Sequence, residues 1–163
     1  MKMRREHSYA VLSLSLMGLV MSTGCIDLFG DDSVKTVSVN AATGAVIAIG
    51  DTDSVLLAGT RLVIPPDSLP ADTEVTLKLS TESIVLAGDE SVGPVAVFGP
   101  AGIQFAKGAS LTLPVTLDEP SKLGEIFLTV LEDDGSRRDL NAISTGDGFV
   151  TATITGFTSF EAT

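Results

Sequence analysis

Three stretches of this chain alternate apolar and polar side chains with a period of two, a rhythm that restricts the fold more than any other feature. In residues 74–79 (EVTLKL), Val75, Leu77 and Leu79 share one face while Thr76 and Lys78 take the other. Residues 111–117 (LTLPVTL) set Leu111, Leu113, Val115 and Leu117 against Thr112, Pro114 and Thr116. Residues 149–154 (FVTATI) set Val150, Ala152 and Ile154 against Thr151 and Thr153. Successive side chains of a strand point to opposite faces, so this alternation marks half-buried strands. Further strands are expected at residues 34–39, 45–49, 54–57, 60–64, 84–87, 95–98 and 125–131. Ala58-Gly59 and Asp133-Asp134-Gly135 separate pairs of segments as hairpin turns do. Gly, Pro and Asp interrupt the chain throughout and leave no helical period of useful length. Pro114 has no amide hydrogen, so its strand is expected at an edge or bulged. The expected fold class is all-β, one antiparallel β-sandwich over residues 34–163, long enough to bury roughly two-thirds of its unfolded surface. No internal repeat is found.

Composition matters most after the chain is divided at Cys25. The first 24 residues hold Lys2, Arg4, Arg5 and Glu6, so the remainder carries 7 basic and 20 acidic groups. They also hold the single His (His7), the single Tyr (Tyr9) and all four Met. Beyond Cys25 the aromatic residues are seven Phe, with no His, Tyr, Trp, Met or second Cys. That composition excludes histidine acid–base chemistry, a cysteine nucleophile within the domain, and the usual zinc, haem and iron–sulfur ligand sets. The acidic excess opposes nucleic-acid binding, which needs Lys and Arg on phosphates. No cofactor is expected.

Residues 1–7 are basic, residues 10–20 are apolar apart from Ser and Gly, and Met21-Ser22-Thr23-Gly24 places small residues before Cys25. Those three parts define an export signal, and its apolar core is shorter than the roughly 20 residues of a spanning helix. Ser22-Thr23-Gly24-Cys25 resembles the lipobox of bacterial lipoproteins, with Ser22 departing from the usual Leu. The resemblance covers residues 1–25. It implies diacylglycerol on the Cys25 thiol, cleavage before Cys25 and acylation of the new amino terminus. A lone cysteine in an exported chain has no internal disulfide partner, which agrees. Three acyl chains exceed the two-signal threshold for stable anchoring. The residue after the cysteine is Ile26 and not the Asp of the enterobacterial retention rule, which by resemblance implies the outer membrane. Residues 25–33 then form the lipidated cysteine and a short polar tether, in which Asp31 and Asp32 read as solvated.

Two passages and a terminal motif carry a second resemblance. Gly59-Thr60-Arg61-Leu62-Val63-Ile64-Pro65-Pro66-Asp67-Ser68-Leu69 precedes Asp72-Thr73-Glu74-Val75-Thr76-Leu77. Phe98-Gly99-Pro100-Ala101-Gly102-Ile103-Gln104-Phe105 precedes Ala109-Ser110-Leu111-Thr112-Leu113-Pro114. Gly156-Phe157-Thr158-Ser159-Phe160 closes the chain. In this order they resemble the ZU-five domain of ankyrins and netrin receptors, from about Gly44 onward. The family is a β-sandwich used in protein–protein contact, which implies that role here. Each motif also has a plain structural reading. Pro65-Pro66 stops a strand, Leu69 plugs one end of the core, and residues 99–102 reverse the chain.

Some members of that family cleave themselves at His-Phe-Ser, and the matching positions are Gly156, Phe157 and Thr158. Thr158 keeps a hydroxyl, but Gly156 supplies no base to activate it. No catalytic residue and no autoproteolysis are therefore expected; the alternative is a degenerate self-cleaving domain. The acidic groups Asp51-Thr52-Asp53 and Glu132-Asp133-Asp134 read as solvated turns or as a calcium site built from two loops, which would make a calcium-dependent adhesion module. Arg137 and Arg138 can pair with Glu132–Asp134. Lys78 and Lys107 read as surface charges. Without Trp or Tyr platforms, a paired-carboxylate glycosidase is disfavoured. The expected function is a non-enzymatic envelope module, held to the membrane through Cys25, that contacts an envelope or extracellular protein. Residues 132–138, at a hairpin tip, are the candidate contact.

Overall fold

The computed structural model describes residues 33–86, 88–117, 126–132, 134–145 and 147–163. Among these residues the regular structure is all β, in two antiparallel sheets that form a sandwich. The strands are β1 (Ser33–Val39), β2 (Ala45–Ala48), β3 (Arg61–Ile64), β4 (Thr73–Ser80), β5 (Val95–Gly99) and β6 (Gln104–Pro114). β7 (Phe127–Leu131), β8 (Arg137–Asn141), β9 (Ile143–Ser144), β10 (Phe149–Gly156) and β11 (Ser159–Ala162) follow. One sheet has the order β1-β4-β5-β11-β7-β8 and the other β2-β3-β6-β10-β9.

Register explains why the alternating segments form strands with one dry face. Ile47, Leu62, Leu111 and Ala152 align across β2, β3, β6 and β10 and are all buried. Leu79, Ala96, Phe160 and Val130 align likewise across β4, β5, β11 and β7, and all but the partly buried Leu79 lie in the core. Residues paired in register share a face, so these two rows meet between the sheets. At the centre the Phe157 ring meets Phe105 edge-on at 4.8 Å and lies near-parallel to Phe98 at 6.3 Å. The outward row of the five-stranded sheet carries Arg61, Thr112 and Thr151, with the two hydroxyls 2.8 Å apart.

Several expected features form as read. β3 stops at Pro65, Leu69 is buried in the core, and residues 99–102 turn the chain between β5 and β6. The β7–β8 hairpin turns through Gly135, whose φ of 81° suits a residue without Cβ.

Four expectations are corrected. Residues 54–57 are not a strand. Their backbone bonds locally, with the Ser54 amide on the Gly50 carbonyl and the Thr60 amide on the Leu57 carbonyl. Ala58-Gly59 is consequently the last part of a β2–β3 loop and no two-residue hairpin turn. Described residues 84–86 are not a strand either, because the Ile84 amide bonds to the Glu161 side chain; Ala87 lies outside the described residues. Pro114 is neither at an edge nor bulged. β6 is the middle strand of its sheet, and Pro114 ends it beyond the reach of β3, whose last pairing on that side is Arg61 with Thr112. The Val115 amide bonds to Gly148 on the β10 side, so Pro114 turns its missing donor toward the side that β3 has vacated. β6 also starts earlier than expected. Ala106, Lys107 and Gly108 are all exposed at a bulge, which breaks the alternation between buried Phe105 and Ala109.

Candidate functional site

Cys25, Asp31 and Asp32 lie outside the described residues. Of the remaining expected positions, Gly156-Phe157-Thr158 is the best defined. The chain crosses here from β10 in one sheet to β11 in the other. Phe157 is fully buried, and its amide donates to the Ile103 carbonyl at 3.0 Å. The Thr158 carbonyl accepts the Phe98 amide at 2.9 Å, while the Thr158 hydroxyl donates to the Leu131 carbonyl. A Cβ on Gly156 would stand 2.6 Å from the Ile103 carbonyl oxygen, so this position accepts only glycine without a backbone shift. Beside the corner is a cavity of about 20 Å³, the size of one water, lined by Gln104, Glu132, Arg138 and Thr158 among others. Glu132 is held by the Arg138 guanidinium at 2.5 Å. The Thr158 proton thus faces a carbonyl, which cannot act as a base, and the carboxyl group that lines the same cavity, Glu132, is engaged by a cation.

The two acidic groups do not form one site. Asp53 sits in the β2–β3 loop, where its carboxyl accepts the Gly50 amide at 3.0 Å and the Lys35 ammonium at 2.9 Å. Lys35 also donates to the Ala48 carbonyl at 2.8 Å. The Gly50 amide first, and Lys35 second, hold the Asp53 carboxyl below the usual aspartate range. At the β7–β8 turn, Asp134 accepts the Ser136 amide at 2.9 Å, and the Ser136 hydroxyl first, its amide second, holds the Asp134 carboxyl below the usual aspartate range. Lys35 belongs to β1 and the turn leads into β8, and these two strands are the opposite edges of the six-stranded sheet. That separation keeps the described carboxyl groups of the two loops apart. Among the described residues no three His, Cys, Asp or Glu side chains converge on a common point. Glu132 and Arg138 do pair across the hairpin, whereas Asp133 lies outside the described residues. Lys107 donates to the Pro66 carbonyl at 2.8 Å and lies 3.6 Å from Asp67; Lys78 is exposed on β4.

Two features escape sequence reasoning. The first is Glu161 on β11, only 1% exposed. One carboxyl oxygen accepts the Ile84 amide at 2.6 Å and the Ser83 hydroxyl at 3.0 Å; the other accepts the Ser91 hydroxyl at 2.5 Å. Glu161 thereby fastens the long β4–β5 connection across the outer face of the six-stranded sheet. The second is a groove of about 680 Å³ at one open end of the sandwich, lined by Leu56, Leu79, Val92, Pro94, Pro114 and Leu117 together with polar residues. Leu56, part of that wall, is 63% exposed, and Val55, next to it in the chain, is 80% exposed. A run of apolar residues at 54–57 signals a strand by pattern, and only the loop geometry shows that two of them face out.

No protein-family model matches this chain, and no curated protein is significantly similar to it.

Proposed function

We propose that this protein is a non-enzymatic bacterial envelope lipoprotein, anchored through acylated Cys25, whose β-sandwich serves as an interaction or structural module. The observation that carries the reading is the order of parts in the sequence. A basic start, an apolar core and small residues close on the lone cysteine, and β1 begins eight residues later. Outer-membrane placement rests on Ile26 after the cysteine. A ZU-five-like character rests on the three ordered motifs, and it is supported by the two-sheet fold in which Pro65-Pro66 and residues 99–102 take the turning positions expected of them. An interaction role is also supported by the engagement of the groups nearest to chemistry. The Thr158 hydroxyl, the Asp53 carboxyl and the Glu132 carboxyl each have a fixed partner within the fold. The partner would be an envelope or extracellular protein, and the acidic surface favours a basic one.

Metabolic labelling with palmitate, followed by membrane fractionation of the natural protein and Cys25→Ser, tests the anchor. Label and membrane association are expected for the natural chain and loss of both for Cys25→Ser. Unchanged fractionation of Cys25→Ser would remove the reading.

A further inference from the structure

No strand of the five-stranded sheet contains an Asp or a Glu, whereas the strands of the six-stranded sheet hold Glu74, Asp139 and Glu161. Arg61 is exposed on the outer face of that sheet and has no ion-pair partner among the described residues. Lys107, at the bulge that begins β6, is already bonded to the Pro66 carbonyl. Two outward rows cross the sheet in register. One runs Ala48, Arg61, Thr112, Thr151 and Ile143 over β2, β3, β6, β10 and β9. The other runs Val46, Val63, Ser110 and Thr153 over the first four of these strands. Val46 and Ile143, on the outer strands, are 55% and 75% exposed. Beside Thr153, past the last pairing of β9, lies a hollow of about 220 Å³ lined by Leu140, Asn141, Ile143 and Thr151 among others.

We propose that this face docks on the same face of a second copy of the chain, with a two-fold axis lying along β6. β6 is the middle of five strands, so the axis exchanges β3 with β10 and β2 with β9 and keeps each row opposite itself. Arg61 then meets Thr151 of the other copy, a guanidinium donating to a hydroxyl. Small Ala48 meets large Ile143, and the projecting Val46 meets the hollow beside Thr153. Ser110 and Thr112 meet their own counterparts on the axis. The two Arg61 residues stand on opposite sides of it, two strand spacings or about 10 Å apart, where salt screens their repulsion. Charge selects the same occupant. Two bodies of 7 basic and 20 acidic groups repel over most of their surfaces and close most readily where carboxyl groups are missing. A basic protein would find no strand carboxylate here to pair with. Five strands about 4.8 Å apart, over the six paired residues of β6 and β10 at about 3.4 Å each, give a flat face of about 480 Å². Standard interfaces bury about 800 Å² on each partner, so this pair belongs with weak, reversible dimers. The dimer does not depend on the lipid anchor.

Sedimentation equilibrium of the full chain in density-matched neutral detergent, from about 1 to 500 μM, measures it, and a dissociation constant on the order of 10–100 μM is expected. Ser110→Asp and Thr151→Asp add the same charge to the same face with opposite expected results. Ser110→Asp sets two carboxylates against each other on the axis and should weaken the dimer about tenfold or more. Thr151→Asp sets a carboxylate against Arg61 of the other copy and should tighten the dimer about fivefold, a gain that adding Arg61→Ala removes. Thermal melting checks that each variant folds; should Ser110→Asp not fold, Thr151→Asp with and without Arg61→Ala decides alone. A chain that is monomeric throughout the range overturns the proposal and leaves the face to a different protein. A dimer that Thr151→Asp fails to tighten, or whose gain survives Arg61→Ala, overturns it as well.

Discussion

Removing the Glu161 side chain should loosen the β4–β5 connection at a cost that can be worked from its three hydrogen bonds. Glu161→Ala leaves the Ile84 amide, on a residue 5% exposed, without its acceptor. A buried donor stranded in that way costs about 1–3 kcal/mol. The Ser91 hydroxyl retains a second acceptor, the Gly93 carbonyl at 3.2 Å, and Ser83 is exposed, so these two contribute less. Loss of the buried methylenes adds a cavity contribution of about 1 kcal/mol. The expected total is about 3 kcal/mol. Glu161→Gln should behave differently. Its carbonyl oxygen can keep the Ile84 and Ser83 donors, while its amide donates to Ser91, whose own proton turns to Gly93. The cost is then about 1 kcal/mol or less. Urea denaturation at neutral pH measures both variants, and amide exchange at Ile84 localises the effect. The reasoning is refuted if Ala costs no more than Gln, or if exchange at Ile84 is unchanged in Glu161→Ala.

Other perturbations follow from the same geometry. Gly156→Ala pushes a methyl against the Ile103 carbonyl and should cost about 1–3 kcal/mol by urea denaturation; wild-type stability would mean that the β10–β11 corner yields freely. The Thr60 hydroxyl is buried without a partner among the described residues, so Thr60→Val should be neutral or stabilising by up to about 1 kcal/mol, and a clear loss would reveal a bond to that oxygen. Asp53 and Asp134 have depressed folded pKa values. Their contribution is therefore complete above the unfolded aspartate value of about 3.9 and is lost as pH falls through the lower folded values. Asp53→Asn should show a shallower decline of stability on that acid limb than the natural chain, and an identical decline would refute the Lys35–Asp53 assignment. Prolonged incubation at mildly alkaline pH should leave the intact mass unchanged, because the Thr158 hydroxyl faces a carbonyl; a fragment beginning at Thr158 would refute this.

The sandwich was legible wherever a strand has one wet face. β4 and β10 alternate cleanly because their outward residues are Thr, Lys or Glu, and those segments were placed within two residues of their observed ends. Strands that depart from this rule were harder to see. β11 buries Phe160, Glu161 and Ala162 in succession, because the β4–β5 connection covers its outer face, so no alternation survives there. β8 (RRDLN) is almost wholly polar and forms because the Asp134–Ser136 turn returns the chain along β7. Residues 54–57 show the opposite failure, apolar enough for a strand yet held in turns by local bonds. Gly156-Phe157-Thr158 stood out in the sequence as a motif, but nothing in it announced that the chain changes sheet there. Glu161 was not, since its role depends on Ile84, Ser83 and Ser91, some seventy or more residues away in the chain.

The edges of the two sheets bear on the proposed life at a surface. Lys35 on β1 pairs in register with core residue Leu77, and Arg138 on β8 with core residue Val130, so both basic side chains start on the inner face of an outer strand. Each is bonded to an acid, Asp53 or Glu132, with side chains about a third to a half exposed. At that exposure an ion pair contributes only about 0–1 kcal/mol, too little for fold stability to account for both. Inward-turned charge does, however, spoil an edge strand as a template for another chain. The five-stranded sheet reaches the same end by length, since its outer strands β2 and β9 have four and two residues. All four edges are thus blunted among the described residues. A lipid anchor would concentrate copies in two dimensions and align them, the condition under which an open edge would pair most readily, so blunted edges would keep such an anchored sandwich from pairing edge to edge with its neighbours.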